Sequence, residues 1–125
     1  MRAKRQHRNE HGIVAAEFAL IFVAVFGLLV GIVEFGRYYN ASIVVTSAAR
    51  EGVRKVALRD AGNANATAIA AAGGISVSPG GMVTCPATGT GTNASYTLTS
   101  SFTFDAFLPI GTKTISRTAV MRCGG

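Results

Sequence analysis

One carboxylate lies inside an otherwise uninterrupted apolar run near the start of the sequence. The run covers residues 13–33, and its acidic residue is Glu17. In a membrane-spanning helix a charged side chain costs about 2.5–3.5 kcal/mol at the centre and less toward the edge. Ionisable residues inside such segments are usually functional, and we interpret Glu17 in that way. The alternative is that its carboxylate lies at the level of the lipid headgroups and faces water.

Residue types that usually carry catalysis or bind metals form no recognisable pattern in the rest of the sequence. Both histidines, His7 and His11, precede the apolar run, so no histidine follows it to complete a catalytic triad or a metal site. Asp60 and Asp105 are isolated from any recognisable partner in the sequence. We therefore expect a protein that is not an enzyme and that uses neither a metal nor a cofactor.

The apolar run is long enough to cross a membrane. It has about 21 residues, and a helix that rises about 1.5 Å per residue would extend roughly 31 Å, which matches the hydrocarbon core of a bilayer. The apolar region of a removable secretory signal usually has only about 7–15 residues, followed by a small-residue cleavage site that is missing here. We therefore predict that residues 13–33 are retained as a single transmembrane helix.

Basic residues are concentrated before the apolar run. The formal net charge is +6, and the first segment, residues 1–12, contains Arg2, Lys4, Arg5 and Arg8. Positive residues beside a span hold that end in the cytoplasm, so we predict a cytoplasmic N-terminus and a C-terminus outside the membrane. The alternative, nucleic-acid binding, is disfavoured because the other basic residues form no patch interleaved with aromatic residues.

The chain has two cysteines, Cys85 and Cys123, both after the span. Their spacing fits neither a zinc site, which needs about four ligands, nor a CxxC redox motif. The predicted topology exports both to an oxidising compartment, where we expect them to pair. A disulfide that closes a loop of about 39 residues would contribute roughly 3.5–4 kcal/mol in the chain-entropy model. Two unpaired buried thiols are the alternative.

The sequence after the span divides into a helical part, residues 34–72, and a β-rich part, residues 73–125. Apolar residues recur at helical spacing in the first part, which predicts an amphipathic helix outside the cytoplasm. The apolar residues are Phe35, Tyr38, Tyr39, Ile43, Ala49, Val53, Val56 and Ala57. Gly62 and Asn63 predict a break or kink in this helix, and two glycines after residue 72 predict its end.

Three strands are predicted in the β-rich part, at residues 75–84, 95–104 and 113–122. The middle strand alternates clearly, with Tyr96 and Leu98 among the apolar residues of one face. Because a three-stranded sheet is marginally stable alone, we expect the helix and the disulfide to support it. The predicted fold class is α+β: a long N-terminal helix, membrane-spanning and then amphipathic, followed by a small antiparallel sheet with one disulfide.

A GxxxG pattern lies in the second half of the apolar run. It consists of Gly27 and Gly31, with Ala24 one turn earlier. Small residues on one face allow transmembrane helices to approach closely, and we interpret the pattern as a helix-packing face. Glycine is also common in membrane helices, so a pattern without a packing role stays open.

Three motifs resemble the TadE-like family of minor pilins, or pseudopilins, of the tight-adherence (Tad/Flp) pilus. They are IVAAEFAL at residues 13–20, GIVEFGR at 31–37 and AAREGVR at 48–54. The basic segment, Gly12 and the apolar run together also resemble the class III signal peptide of type IV pilin-like proteins. The resemblance covers roughly the first half of the chain.

The resemblance implies an inner-membrane prepilin that a prepilin peptidase cuts between Gly12 and Ile13. Glu17 then becomes the fifth residue of the mature chain, where its charge offsets the new α-amino group of Ile13 in the same or a neighbouring subunit. The implied partners are other pilin subunits, in a homo- or hetero-oligomer, and the pilus assembly platform. The implied role is pilus assembly and surface adhesion, with the extracellular pilus as the location after assembly.

Two other functions stay open from the sequence. One is a signal-anchored, single-pass membrane protein whose extracytoplasmic domain binds a partner without entering a filament. The other is a soluble module released by ordinary signal peptidase. Gly12 together with Glu17 favours the pilin-like function, because only pilin-like processing needs both residues.

Overall fold

The computed structural model describes residues 7–87, 91–104 and 111–124, with side chains described from residue 12 onward. The described elements are helices α1 (His7–Ala57) and α2 (Ala61–Ala71) and strands β1 (Val77–Val83), β2 (Asn93–Phe104) and β3 (Gly111–Arg122). This order confirms the predicted fold class, a long N-terminal helix followed by a small antiparallel sheet. The chain forms two units, Met1–Phe35 (the N-terminal unit) and Gly36–Gly125 (the C-terminal unit).

In the N-terminal unit, α1 begins before the apolar run. Residues 7–12 of the basic segment are helical and continue into the apolar run. The remaining residues of that segment, 1–6, lie outside the described residues. A helix that has formed extends by one hydrogen bond for each residue it adds, and no proline precedes residue 79 to stop it.

Apolar side chains surround α1 throughout residues 13–33. Most of the large ones are exposed, from 47% for Phe26 to 75% for Leu20. Within the described part of the chain, α1 is the one helix that is long and apolar enough to cross a membrane. A helix that is apolar on every side is stable in lipid or inside a large core. The exposure of this segment therefore fits the predicted anchor.

In the C-terminal unit, α1 buries a face of small and β-branched residues. The buried residues of this face are Ala41, Val45, Ala48, Ala49, Val53, Val56 and Ala57. Our prediction of the apolar face is right for its second half and wrong for part of its first, because Phe35, Tyr39 and Ile43 are exposed. Alanine and valine allow close packing, since bulkier side chains would hold the helix away from its neighbours.

The break between the two helices falls at residues 58–60, and our prediction of a break at Gly62 and Asn63 is therefore wrong. Arg59 adopts a left-handed backbone conformation (φ 63°), which ends α1. Asn63 lies in the first turn of α2, where its Nδ2 donates a hydrogen bond of 2.8 Å to Oδ1 of Asp60. The Asp60 carboxylate also lies 3.4 Å from the Lys55 ammonium nitrogen. Asn63 therefore stabilises a helix start instead of breaking a helix.

The three strands form one antiparallel sheet in the order β1-β2-β3, so β2 is central. All three predicted strands are present, although β2 and β3 begin earlier than predicted and β1 is shorter. The pairing of β1 with β2 shifts register between Pro79 and Met82, because proline has no amide proton to donate to the ladder. Alternate residues of β2 are buried, as the sequence pattern predicted. They are Ala94, Tyr96, Leu98 and Ser100.

The ring of Tyr96 connects the sheet to both helices. It is fully buried and lies against the backbone of Gly52 in α1. A Cβ atom built on Gly52 would lie 2.6 Å from two ring carbons of Tyr96 and 3.2 Å from the Cβ atom of Ala68 in α2. The Tyr96 hydroxyl donates a hydrogen bond of 2.9 Å to Oδ1 of Asn65. Gly52 therefore provides the space in which β2 approaches α1 and α2.

The predicted disulfide is confirmed. Cys85 follows β1 and Cys123 follows β3, and their sulfur atoms are bonded. Since β1 and β3 are the two edge strands, the bridge crosses the end of the sheet. The Cys85 sulfur lies 3.9 Å from the carbonyl oxygen of Ala57, the last residue of α1, so the bridge also packs on the helix end.

Gly52→Ala should lower the free energy of unfolding by about 1–3 kcal/mol, because the new methyl group would overlap the Tyr96 ring. The matched control is Gly62→Ala, where an added Cβ meets nothing within 4 Å. Its better helix propensity should leave stability unchanged or raise it by up to about 1 kcal/mol. Urea unfolding of the full chain in mild detergent, followed by tyrosine near-ultraviolet circular dichroism, measures both. Equal effects of the two substitutions would contradict this packing account.

Replacing both cysteines, Cys85→Ser with Cys123→Ser, should lower the free energy of unfolding by roughly 3–4 kcal/mol, since the unfolded chain regains the freedom of the closed loop. The same urea experiment measures the loss, with and without reductant. Reductant should destabilise the natural chain and leave the double variant unchanged. A natural chain whose unfolding does not respond to complete reduction would refute a stabilising role for the bridge.

Candidate functional site

The predicted processing and assembly residues all lie on α1 in the N-terminal unit. They are Gly12, Ile13, Glu17, Gly27 and Gly31. Of the predicted basic residues, Arg8 lies within α1, while Arg2, Lys4 and Arg5 lie outside the described residues. The structure therefore places the described candidate residues along one helix.

Gly12 lies inside α1 and not at its start, since the helix begins at His7. A Cβ atom at this position would meet nothing within 4 Å, so the described fold does not need a glycine there. A glycine within a helix costs about 1 kcal/mol relative to alanine. The packing of the described chain therefore gives no reason for a glycine at this boundary.

The carboxylate of Glu17 is exposed and has no hydrogen-bond or ion-pair partner among the residues that the structure describes. Its neighbours one turn away on the same helix include Ile13, Leu20 and Ile21, whose side chains are apolar and exposed. No cationic side chain of α1 is therefore positioned one turn from this carboxylate. The described part of this helix therefore offers Glu17 no cationic neighbour one turn away.

Gly27 and Gly31 present bare backbone on the surface of α1. An added Cβ at either residue would meet nothing within 4 Å. Within the described chain, therefore, no other residue packs against either glycine. A helix-packing face remains a prediction for contacts between subunits.

The apolar run also contains a row of aromatic rings that our sequence analysis did not identify. Phe18, Phe22 and Phe26 follow one another at intervals of one helical turn, and their ring centroids lie 6.4 and 6.1 Å apart along the row. The i,i+4 spacing is visible in the sequence and was sufficient to predict this row. These rings cover one side of the segment that is predicted to lie in lipid.

A second aromatic group lies in the C-terminal unit and joins the beginning of its helix to the end of β2. Tyr38 of α1 stacks on Phe104 at 5.7 Å and meets the edge of Phe102 at 5.6 Å. The centroids of Phe102 and Phe104 are 5.1 Å apart. The guanidinium carbon of Arg37 lies 5.9 Å from the centre of the Phe102 ring, within range of a cation–π contact. Only the fold brings these distant parts of the sequence together.

One shallow cavity of about 120 Å³ lies beside the start of β1. Serine and threonine residues line it: Ser76, Ser78, Thr99, Ser100, Ser101 and Thr114. The Ser100 hydroxyl already donates a hydrogen bond of 2.8 Å to the carbonyl oxygen of Ser76. The lining offers hydroxyl groups without an acid or a base to activate them. Among the described residues, no three histidine, cysteine, aspartate or glutamate side chains are grouped to hold a metal ion.

Comparison with known families gives a match, and the matched residues lie on α1. Residues 12–54 match the family model described as TadE-like protein. The matched segment is about a third of the chain and contains all three motifs on which the resemblance was based. No curated protein and no solved structure matches the chain. The match confirms the family resemblance over the helix that carries the candidate residues.

Proposed function

We propose that this protein is a TadE-like minor pilin or pseudopilin that takes part in the assembly of a Tad/Flp pilus and in surface adhesion. It is made as an inner-membrane prepilin, cut by a prepilin peptidase, and then packed against other pilin subunits on the assembly platform. The observation that carries this proposal is the family match, which begins at Gly12 and includes Glu17. A structural role also fits the lack of acid, base or metal groups around the described cavity.

The first step is insertion in the membrane. The apolar part of α1 spans the inner membrane, with the basic residues before Gly12 on the cytoplasmic side and the C-terminal unit outside. The disulfide supports this orientation, because such bonds persist in oxidising compartments outside the cytoplasm. This topology places Gly12 at the cytoplasmic boundary of the membrane.

The second step is cleavage between Gly12 and Ile13. A peptidase has to bind the backbone on both sides of the bond it cuts, and a glycine presents no side chain to hinder that approach. The open surroundings of Gly12 in α1 support this function, because the described fold gives no reason of its own for a glycine there. Cleavage creates a positively charged α-amino group on Ile13, one helical turn before Glu17.

The third step is lateral packing, in which Glu17 neutralises an α-amino group. Two unit charges about 4 Å apart attract each other by about 4 kcal/mol at an effective dielectric constant of about 20, and by only about 1 kcal/mol in water. The amino group belongs to the same chain or to a neighbouring subunit. Glu17 suits this role because no cationic side chain lies one turn from it on its own helix. Gly27 and Gly31 allow the packed helices to approach closely.

Gly12→Val should leave uncut precursor in the membrane, because a β-branched side chain at the cut would obstruct the peptidase. The measurement is an immunoblot of a C-terminally tagged chain expressed together with its prepilin peptidase. Gly27→Val is the matched control: it makes the same change on another open face of α1 and should be trimmed normally. Normal trimming of the Gly12 variant would contradict the proposed cleavage.

Glu17→Ala should reduce recovery of the subunit with sheared filaments while membrane insertion and trimming continue. Insertion should be at least as good, since a charge has been removed from the span, and the cut site is unchanged. Glu17→Asp should give an intermediate yield, because it keeps the charge with a shorter reach. Glu51→Ala, which removes an exposed carboxylate of the C-terminal unit, serves as the control. If the Glu17→Ala chain enters filaments normally, its carboxylate has no role in assembly.

A further inference from the structure

Aromatic side chains in the described part of the chain after residue 33 are concentrated at one end of the C-terminal unit. Tyr38, Tyr39, Phe102 and Phe104 lie at this end, and Phe35 is the last residue of the N-terminal unit. Tyr96 belongs to the buried core. The others lie either within two turns of the end of the predicted span or directly against Tyr38. Tyr38 and Phe102 pack against the core of the unit, whereas Tyr39 is exposed and Phe104 stacks on Tyr38.

The sheet brings its aromatic end to the beginning of the helix because β2 runs antiparallel to α1. Tyr96 packs against Gly52, and Phe102 packs against Tyr38. The helix rises about 21 Å over the roughly 14 residues from Gly52 back to Tyr38. The strand covers about 20 Å over the six or so residues from Tyr96 to Phe102. The two lengths agree, so the fold places the end of β2 beside the first turn of the unit.

That first turn follows the predicted membrane span almost immediately. Tyr38 is about five residues beyond the end of the apolar run, which corresponds to about 7.5 Å along a continuous helix. The interfacial region of a bilayer adds several ångströms beyond the hydrocarbon core on each side. Tyr38 and Tyr39 therefore lie at headgroup depth if the span inserts as proposed. Tyr39 is 60% exposed and so available to lipid.

Cationic side chains accompany the rings. Arg37 is exposed and reaches over the Phe102 ring, and Lys113 of β3 is exposed and pairs directly with Phe102 across the sheet. In the described part of this region, the acidic residue is Glu34, which is half-buried and engaged by an interaction within the chain. Exposed positive charge beside aromatic rings complements a surface of anionic phospholipids.

We propose that this end of the C-terminal unit is a second membrane contact, which lies in the headgroup layer of the same bilayer that α1 spans. We define this membrane-proximal aromatic surface as Tyr38, Tyr39, Phe102, Phe104, Arg37 and Lys113. Its rings enter the interface between hydrocarbon and water, where tyrosine is favoured, and its two cations contact the phosphates of anionic lipids. The proposal rests on the proposed membrane anchoring. It adds that the C-terminal unit docks on the membrane before the subunit is withdrawn into a filament.

The chain contains no tryptophan, so single substitutions can report on membrane depth. The probes are Tyr39→Trp and Phe104→Trp at the proposed surface, each in the full chain. Phe22→Trp reports on the span, and Val120→Trp reports on an exposed position near the disulfide end of the sheet. Each chain is reconstituted in vesicles of phosphatidylcholine and phosphatidylglycerol, with bromine atoms on the lipid chains either near the headgroup or near the chain end.

The account predicts that shallow bromines quench Tyr39→Trp and Phe104→Trp at least about twofold more than they quench Val120→Trp. Deep bromines should instead quench Phe22→Trp most strongly. Tyr39 follows the span directly, so its quenching reports the depth of the helix, whereas quenching of Phe104→Trp reports the depth of the sheet end. A Tyr39→Trp chain that shallow bromines do not quench refutes the proposal even if the tighter site of Phe104 does not accept tryptophan. Adding Arg37→Gln and Lys113→Gln to Tyr39→Trp should reduce shallow quenching in the anionic vesicles. The same pair of changes should have little effect in vesicles of phosphatidylcholine alone.

Three negative results have different meanings. If Phe22→Trp is quenched but Tyr39→Trp behaves like Val120→Trp, the membrane-proximal surface is refuted while the proposed anchoring stands. If Phe22→Trp is not quenched by either lipid, the span itself does not insert, and both this inference and the proposed membrane step are wrong. Quenching at Tyr39→Trp that is equal in anionic and neutral vesicles would refute the role of the two cations.

Discussion

The contact between the Tyr96 ring and the bare backbone of Gly52 is the interaction on which the C-terminal unit depends. It places the central strand of the sheet close to α1, and the Tyr96 hydroxyl bonds to α2 through Asn65. A small sheet of three strands is stabilised when its apolar face packs against a helix. The sheet therefore needs the helices, and a side chain at Gly52 would separate them. The disulfide adds a second connection at the end of the sheet, beside the last residue of α1.

The two parts of α1 suit two different environments. In its first part α1 is apolar on every side, as a bilayer requires, and in its second part it buries one face of alanine, valine and glycine. The family match runs from Gly12 to Arg54, so it extends from the proposed cut to just beyond Gly52. The matched segment thus contains both the proposed assembly residues and the place where the sheet attaches. The strands themselves lie outside it.

The features that were predictable from the sequence are those that depend on neighbouring residues in the chain. The apolar run, the alternation of β2 and the predicted export of both cysteines led to the predictions of a span, a central strand and a disulfide, and the structure contains the strand and the disulfide. The helix break was not predictable from propensity. The break occurs where Arg59 takes a left-handed conformation, while Asn63 bonds to Asp60 at the start of α2. The local hydrogen bond of Asn63 to Asp60 therefore favours a helix start at a position where propensity alone favoured a break.

Two other features required the fold. Phe35, Tyr39 and Ile43 have helical spacing and were assigned to the buried face, but the sheet packs on the adjacent face of small residues. The aromatic group of Tyr38, Phe102 and Phe104 joins residues about 64 positions apart, because β2 runs back along α1. The proposed roles of Gly12 and Glu17 differ from both, since they concern a peptidase and neighbouring subunits. For those residues the structure contributes the open surroundings that such partners need.

The most direct test of the central claim is the intact mass of the natural chain purified from membranes that contain its prepilin peptidase. The account predicts a chain that begins at Ile13, lacks residues 1–12 and carries a disulfide between Cys85 and Cys123. Mass spectrometry without reduction determines the new N-terminus and the bond in one measurement. A membrane-bound chain that retains residues 1–12, or one cut at the far end of the apolar run, would contradict the account.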